Sequence, residues 1–394
     1  MNIMFMSDYP IIASNGGVQR VTDVLASEFI RRGYKVFYLC TTPKNYQAIE
    51  QPIKSTPKQY YLKSGIDATQ QIKILANKVD VRLVINQSFS SDVVSLLSAF
   101  PDTTYKISVF HSQPFATYKK ERNILRCLTT PHSLFGYIFK YIGIIAPFLV
   151  RNYYTRNNKK MFIDLINASD KFCLLSDSFV LRLRHFIPNA PVSKLIAINN
   201  PNTFIKINSN KNNREDIILF VGRIENTSKN VFDFIKVWRY LMKKNPNWRA
   251  IVVGDGTDLQ QTKSYATRLK VERIFFEGHQ TDVSIYLSKA RFLCCTSNYE
   301  GWPMVLIEAM QFGCIPISYN TFEAVYDIID DGINGFIVNK NISLMAQRIQ
   351  QCINGEYNLN DLSEQARQKV KKFSVDHIAN QWEKVFSQNI ISAQ

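Results

Sequence analysis

Two carboxylates, Glu300 and Glu308, stand with seven residues between them in the run Asn298-Tyr-Glu-Gly-Trp-Pro-Met-Val-Leu-Ile-Glu-Ala-Met-Gln-Phe-Gly-Cys-Ile-Pro-Ile-Ser318. The apolar stretch from Arg291 to Thr296 predicts a strand that ends just before Glu300. Pro303 suits a helix start, because its missing N–H would be unpaired there in any case. Glu308 then falls on the second helical turn. The layout is strand, carboxylate, a turn at Gly301, helix N-terminus, second carboxylate. It places both acids and several unpaired helix N–H groups at the carboxyl ends of the strands, where open α/β sheets bind ligands. Taken alone, the spacing is weak evidence, because most glutamate on helices is simply solvated.

Other segments offer complementary chemistry. Phe220-Val-Gly-Arg-Ile-Glu-Asn-Thr-Ser-Lys-Asn230 ends a strand at Gly222 and follows it with Arg223 and Lys229 in a polar loop. Arg supplies a planar fork and Lys a point charge to an anion, although isolated basic residues are also ordinary surface charges. Ser14-Asn15-Gly16-Gly17-Val18-Gln19-Arg20 follows the first strand and opens the first long helix. Paired glycines let backbone approach a ligand closely, and the helix end offers N–H groups to an anion; a tight strand-to-helix turn needs the same residues. His111 closes the apolar run Lys106-Ile-Ser-Val-Phe-His111, where a packed histidine and a ligand-facing one are both reasonable. Val253-Gly-Asp-Gly256 ends another strand as a turn, and Glu277-Gly-His279 is a further loop.

The elements that must position these groups alternate twice over. In the first half, strands are predicted at 2–6, 34–40, 82–86, 106–111, 171–176 and 195–199, with the clearest helix from Val18 to Arg32. There Val18, Val21, Leu25 and Phe29 recur at helical spacing. Asn200-Pro-Asn-Thr and the polar run Asn208 to Arg214 read as a linker. Strands then restart at 217–221, 250–253, 274–276, 292–296, 315–318 and 335–338, and Val375 to Ser392 is helical. Two alternating halves predict two parallel-sheet domains facing a cleft.

The segment around Glu300 resembles the signature of the retaining glycosyltransferases called "glycosyl transferases group 1", family four of the GT-B fold. The family pattern is Glu-Gly-aromatic-small, a short apolar run, Glu-Ala-Met, then Gly-x-Pro-hydrophobic. Here it reads Glu300-Gly301-Trp302-Pro303, Glu308-Ala309-Met310, Gly313 and Pro316. The resemblance extends over nearly the whole chain. It implies an α/β, GT-B architecture of two Rossmann-like doubly wound domains about a central cleft. Residues 1–200 would bind acceptor and 201–374 the nucleotide sugar, with a helix at 375–394 crossing back to the first domain. It also implies site roles. Arg223 and Lys229, with Gly222, clamp the donor diphosphate. Glu300 meets the donor sugar hydroxyls and Glu308 the ribose diol. Backbone N–H groups near Gly301, Trp302, Met304 and Val305 meet sugar or phosphate. Gly16 and Gly17 approach the donor phosphates and sugar. His111, followed by Ser112-Gln-Pro-Phe as in the family, touches the transferred sugar and positions it. No Asp-x-Asp metal motif occurs at a strand end, so no obligatory metal or cofactor is expected. Retention of anomeric configuration is implied by the family alone.

Two departures from the pattern bear on the donor. Pro303 takes a place usually held by Gly and removes one backbone donor. The loop Asn320 to Tyr326 lacks the usual Gly-Pro, although Asp327-Ile-Ile-Asp-Asp-Gly-Ile-Asn-Gly335 keeps the rest.

The 394 residues and 46% hydrophobic content suit two or three domains with large cores. The amino terminus enters a strand directly and lacks signal-peptide character, and the seven cysteines suggest neither a disulfide framework nor a metal cage. Buried thiols in the cytoplasm are the expectation. The net charge of +16 is uneven: residues 106–160 hold ten Lys/Arg and one acid, interleaved with aromatic and aliphatic residues. The longest apolar run there is about half of the roughly twenty residues needed to span a bilayer. The segment is therefore read as lying on an anionic membrane surface; packed helices with a solvated basic face are the alternative. No nucleic-acid motif accompanies the charge. The combined expectation is a cytoplasmic, peripheral-membrane glycosyltransferase. It would move a hexose or N-acetylhexosamine from a nucleotide sugar, a UDP-sugar, to a lipid-linked glycan of a capsule or lipopolysaccharide. A soluble transferase with a small acceptor and a non-catalytic sugar-binding or scaffold subunit are the alternatives.

Overall fold

The computed structural model describes residues 1–42, 57–63, 65–116, 147–204 and 214–390. Lys119, Lys120, Arg122, Arg126 and Cys127 of the basic segment lie outside them. The chain divides into two compact units, Met1–Pro201 with Val375–Gln394, and Asn202–Ser374.

The first unit is built on seven strands: β1 Asn2–Ser7, β2 Lys35–Cys40, β3 Lys58–Tyr61, β4 Leu83–Asn86, β5 Tyr105–Phe110, β6 Lys171–Leu174 and β7 Leu195–Ala197. They form one parallel sheet in the order β3-β2-β1-β4-β5-β6-β7. Helices α1 Gly17–Arg31, α2 Ala68–Lys78, α3 Asp92–Ser98, α4 Pro147–Ala168 and α5 Asp177–Phe186 connect them. A parallel sheet has both faces covered, so its strands are unbroken apolar runs. Ile3, Met4, Phe5, Leu83, Val84 and Ile85 are accordingly fully buried. β3 was not expected from the sequence, being a short, half-exposed edge strand.

The terminal helix, Val375–Ile390, packs on this unit through α1. Phe386 is buried, with its ring edge-on to Phe29 and Tyr34 at 5.9 and 5.7 Å. The Arg32 guanidinium donates to Glu383 Oε2 at 2.5 Å, Asn380 Oδ1 at 2.6 Å and Asp376 Oδ1 at 2.7 Å.

The second unit holds β8 Glu215–Val221, β9 Arg249–Val253, β10 Ile274–Gly278, β11 Ala290–Cys295, β12 Ile315–Tyr319 and β13 Phe336–Val338. They make a parallel sheet ordered β10-β9-β8-β11-β12-β13. Its helices are α6 Val231–Leu241, α7 Leu259–Arg268, α8 Ser284–Lys289, α9 Met304–Phe312, α10 Val325–Ile328, α11 Ile342–Ile353 and α12 Leu359–Val370. The core centres on Trp238, whose Nε1 donates to the Glu272 carbonyl at 2.8 Å, and on Phe292 stacked against Trp248 at 5.6 Å. A buried Trp tolerates its polar edge only with such a partner. The strand order reverses between β8 and β11. The loops that leave these neighbours on their carboxyl side therefore splay to opposite faces and open a crevice.

Candidate active site

Lys229 lies in the loop after β8 and Glu300 in the loop after β11, the two strands that flank the reversal. Lys229 Nζ donates to Glu300 Oε1 at 2.6 Å and to Oε2 at 2.9 Å. The side chains retain 27% and 11% of their exposure, so the pair is shielded but reachable. Burial alone would lower the Lys229 pKa; the Glu300 carboxylate beside it outweighs that, and the net displacement is upward. Ser297 Oγ donates to the same Glu300 Oε1 at 2.6 Å.

The two loops are fastened to each other through backbone. The Asn298 amide donates to the carbonyls of Asn226 at 3.3 Å and Thr227 at 2.9 Å, while its own N–H reaches Ser228 O at 2.7 Å. Thr296 Oγ1 donates to the carbonyls of Lys229 and Asn230 at 3.2 and 3.0 Å. Lys340 Nζ closes on Asn298 Oδ1. Lys229 therefore sits on backbone held from three sides.

Arg223 lies on the same loop but points outward. Its side chain is 73% exposed, and Nη1 is 3.7 Å from Glu225. It is near enough to Lys229 for its charge to oppose that ammonium. Gly222, before it, pairs its N–H with Val253 O at 3.0 Å, and Ile224 N–H with Asp255 O at 2.8 Å. This presses the Gly222–Ile224 backbone onto Gly254-Asp-Gly256. A Cβ on Gly254 would overlap the Gly222 carbonyl, and one on Gly256 the Ile224 carbonyl; Gly254 also holds φ at +139°. The Gly-Asp-Gly turn is thus demanded by packing.

Helix α9 begins at Met304, one residue after Pro303, which is the cap rather than the first helical residue. The N–H groups of Met304 and Val305 have no intrahelical acceptor, as at any helix start. The Trp302 ring is buried edge-on against Phe373 at 5.4 Å, and its Nε1 has no acceptor among the described residues. Glu308 is 3% exposed, and its Oε1 accepts from Thr203 Oγ1 at 2.9 Å. Ser297, Asn298 and Thr203 were not singled out by sequence, because their partners are set by strand order or by a long-range return of the chain.

In the first unit, His111 follows β5. Its Nε2 pairs with Gln87 Oε1, and Nδ1 is buried without a partner among the described residues. Burial lowers its pKa to about 4, so the ring is neutral at physiological pH. It shares a cavity of about 10 Å³ with Thr22, Gln87 and Trp382. Gly16 and Gly17 open α1 on the same carboxyl edge, and Gly16 O accepts from Arg20 N–H at 3.0 Å. Nothing lies within 4 Å of where a Gly17 Cβ would be. The six cysteines at 40, 173, 294, 295, 314 and 352 are free and buried. No helix among the described residues is long and apolar enough to cross a membrane.

A crevice at a sheet reversal, holding a cation against an acid beside an open helix start, is suited to a sugar joined to a diphosphate. The pattern described as "Glycosyl transferases group 1" matches residues 201–369. An uncharacterized glycosyltransferase of Haemophilus influenzae is 31% identical over 193 residues, 48% of this chain and 54% of that one. The Campylobacter jejuni GalNAc-alpha-(1->4)-GalNAc-alpha-(1->3)-diNAcBac-PP-undecaprenol alpha-1,4-N-acetyl-D-galactosaminyltransferase is 30% identical over 177 residues, 44% of this chain and 49% of that one. The matches thus span about half the length of these relatives. Among solved structures, Anabaena HepE in complex with UDP superposes with a TM-score of 0.73 at 15% identity, over 98% of this chain and 100% of that one. On this combined evidence, residues 201–369 carry the pattern of the glycosyl transferases group 1 family, and the chain has the GT-B fold.

Proposed function

We propose that the protein is a glycosyltransferase that moves a hexose or N-acetylhexosamine from a UDP-sugar to a lipid-linked glycan during surface polysaccharide synthesis, with retention of configuration and without an obligatory metal. The observation that carries the proposal is the Lys229–Glu300 pair at the sheet reversal. Breaking the glycosidic bond builds charge on the leaving diphosphate, and a fixed cation aimed at it lowers the barrier. In the free protein Glu300 holds Lys229 in place. An arriving diphosphate draws Nζ away, and the released carboxylate then accepts from sugar hydroxyls. Exposed Arg223 closes on the same phosphates, the start of α9 adds its dipole, and Glu308 takes the ribose diol. His111, neutral, positions the transferred sugar, and the Gly16-Gly17 turn serves the donor.

UDP and the lipid carrier rest on named relatives: HepE is solved with UDP, and the Campylobacter enzyme's name specifies an undecaprenol-linked substrate. Contact of segment 106–160 with an anionic membrane belongs to the same reading. A thermal-shift screen of nucleotide sugars tests the donor, because a bound ligand raises apparent stability by mass action. Release of UDP from the donor that binds, in the presence of a chelator, tests catalysis and metal independence together. Binding without any release would leave a sugar-binding subunit. Activity lost in chelator and restored by magnesium would overturn the metal-free mechanism. Vesicle co-sedimentation that ignores anionic lipid would remove the membrane role.

A further inference from the structure

We infer that the second unit carries a separate anion-binding pocket, on the edge of its sheet opposite Lys229 and Glu300, and that its ligand is a small phosphate-bearing anion. The cavity measures about 410 Å³ and is lined by Arg214, Arg291, Arg367, Asn360, Ser363 and Ile315 among others. Arg214 directly precedes β8, Arg291 is the second residue of β11, and Ile315 is the first of β12. All three therefore mark the amino ends of the strands, away from the reversal loops. Asn360 lies in the first turn of α12, whose positive dipole end adds to the three guanidinium charges. No carboxylate is among the described lining residues.

The charges are under-compensated. Among the described residues, Arg214 donates to carbonyls, those of Leu287, Ala290 and Phe312, and pairs with no acid. Arg367 Nη2 donates to the same Phe312 carbonyl at 3.2 Å, and Nη1 is a loose 3.5 Å from Glu364. Its Nε is buried with no acceptor among the described residues. Arg291 Nε meets Asp216 at 2.8 Å. Burial, and beyond it repulsion from Arg367 and Arg291, lowers the Arg214 pKa. Clamping the carboxyl end of α9 accounts for one arginine on the Phe312 carbonyl. It does not account for three guanidinium groups gathered on one cavity with so few acids. An oxyanion does, since each fork offers paired N–H donors to phosphate oxygens. The volume lies in the range of small-molecule sites, so an organic group on the phosphate also has room.

The test uses the full chain with inorganic phosphate and glycerol 3-phosphate as probes, at ionic strength matched with chloride. Binding is read by calorimetry and thermal shift in the parent, Lys229→Ala, Arg291→Gln and Arg367→Lys. Phosphate is expected to bind the parent and the Lys229→Ala variant alike, which separates this pocket from the reversal loops. Arg291→Gln and Arg367→Lys should each weaken it at least tenfold with their circular dichroism unchanged. A tighter glycerol 3-phosphate would identify a phosphomonoester as the preferred ligand. A response no larger than that to chloride, one abolished by Lys229→Ala, or one unaltered in both arginine variants would overturn the proposal.

Discussion

Lys229 and Glu300, 71 residues apart in sequence, grip each other with both carboxylate oxygens within 2.9 Å of one ammonium. Neighbouring strands bring them together, and Asn298 and Thr296 hold the supporting backbone. In the proposed mechanism this pairing holds the ammonium at the crevice until a diphosphate takes it over from the carboxylate.

Replacing Lys229 by Met should reduce turnover by roughly two orders of magnitude, about 3 kcal/mol, as for loss of one preorganised electrostatic donor. The stability effect has its own pH signature. A lysine whose pKa is raised on folding contributes stability in full below its unfolded value, about 10.4. That contribution disappears as pH climbs through the higher folded value. Urea unfolding at pH 7 and in strong alkali should therefore show the parent's advantage over the variant shrinking at the higher pH. An advantage that stays constant would mean that the pair adds nothing through charge.

Glu308→Ala should weaken binding of the nucleotide by about 1.5–3 kcal/mol, the range for a hydrogen bond to a charged acceptor. Thr203→Val removes only the hydroxyl that now satisfies Glu308 Oε1 and should have a smaller effect. Competition titrations with UDP check both. If the alanine variant binds UDP, GDP and ADP as the parent does, Glu308 does not hold the ribose.

Two glycine-to-alanine changes should separate packing from function. Gly254→Ala drives a methyl group into the Gly222 carbonyl at a φ of +139°, so the second unit should lose several kcal/mol of stability. Gly17→Ala meets nothing within 4 Å and should leave thermal stability unchanged or slightly raised. Any fall in donor turnover in that variant then reports a ligand approaching the backbone. Equal turnover in parent and Gly17→Ala would release this turn from the mechanism.

The alternating architecture was legible because central parallel strands such as Ile217–Val221 and Ala250–Val253 must be apolar on both faces. Short β3 was not, since a half-exposed edge strand carries little pattern. Glu300 and Lys229 could be picked out by their motifs, but their contact could not, because it depends on β8 lying beside β11. The Thr203–Glu308 bond spans 105 residues and leaves no local trace. Arg223 was expected in a clamp with Lys229; its side chain is exposed, with Nη1 3.7 Å from Glu225. A loop arginine acquires its geometry from its anion, which the sequence does not contain.

His111 supplies the last prediction. Burial places its pKa at about 4, below the ordinary 6.5, so the folded state resists its protonation. The stability that follows from a neutral ring is present above the unfolded pKa and is lost as pH falls through the folded one. Between those values the unfolded chain binds a proton that the native chain does not. Unfolding free energy of the parent should therefore decline from pH 6.5 towards pH 4, and His111→Gln should show a flatter decline. The same neutrality predicts that His111 contributes no ionisation near pH 6.5 to the rate profile of sugar transfer. It can position a hydroxyl through a hydrogen bond, as it now does with Gln87. An inflection near pH 6.5 in the parent's kcat that vanishes in His111→Gln would contradict that role and make the ring a titrating acid or base.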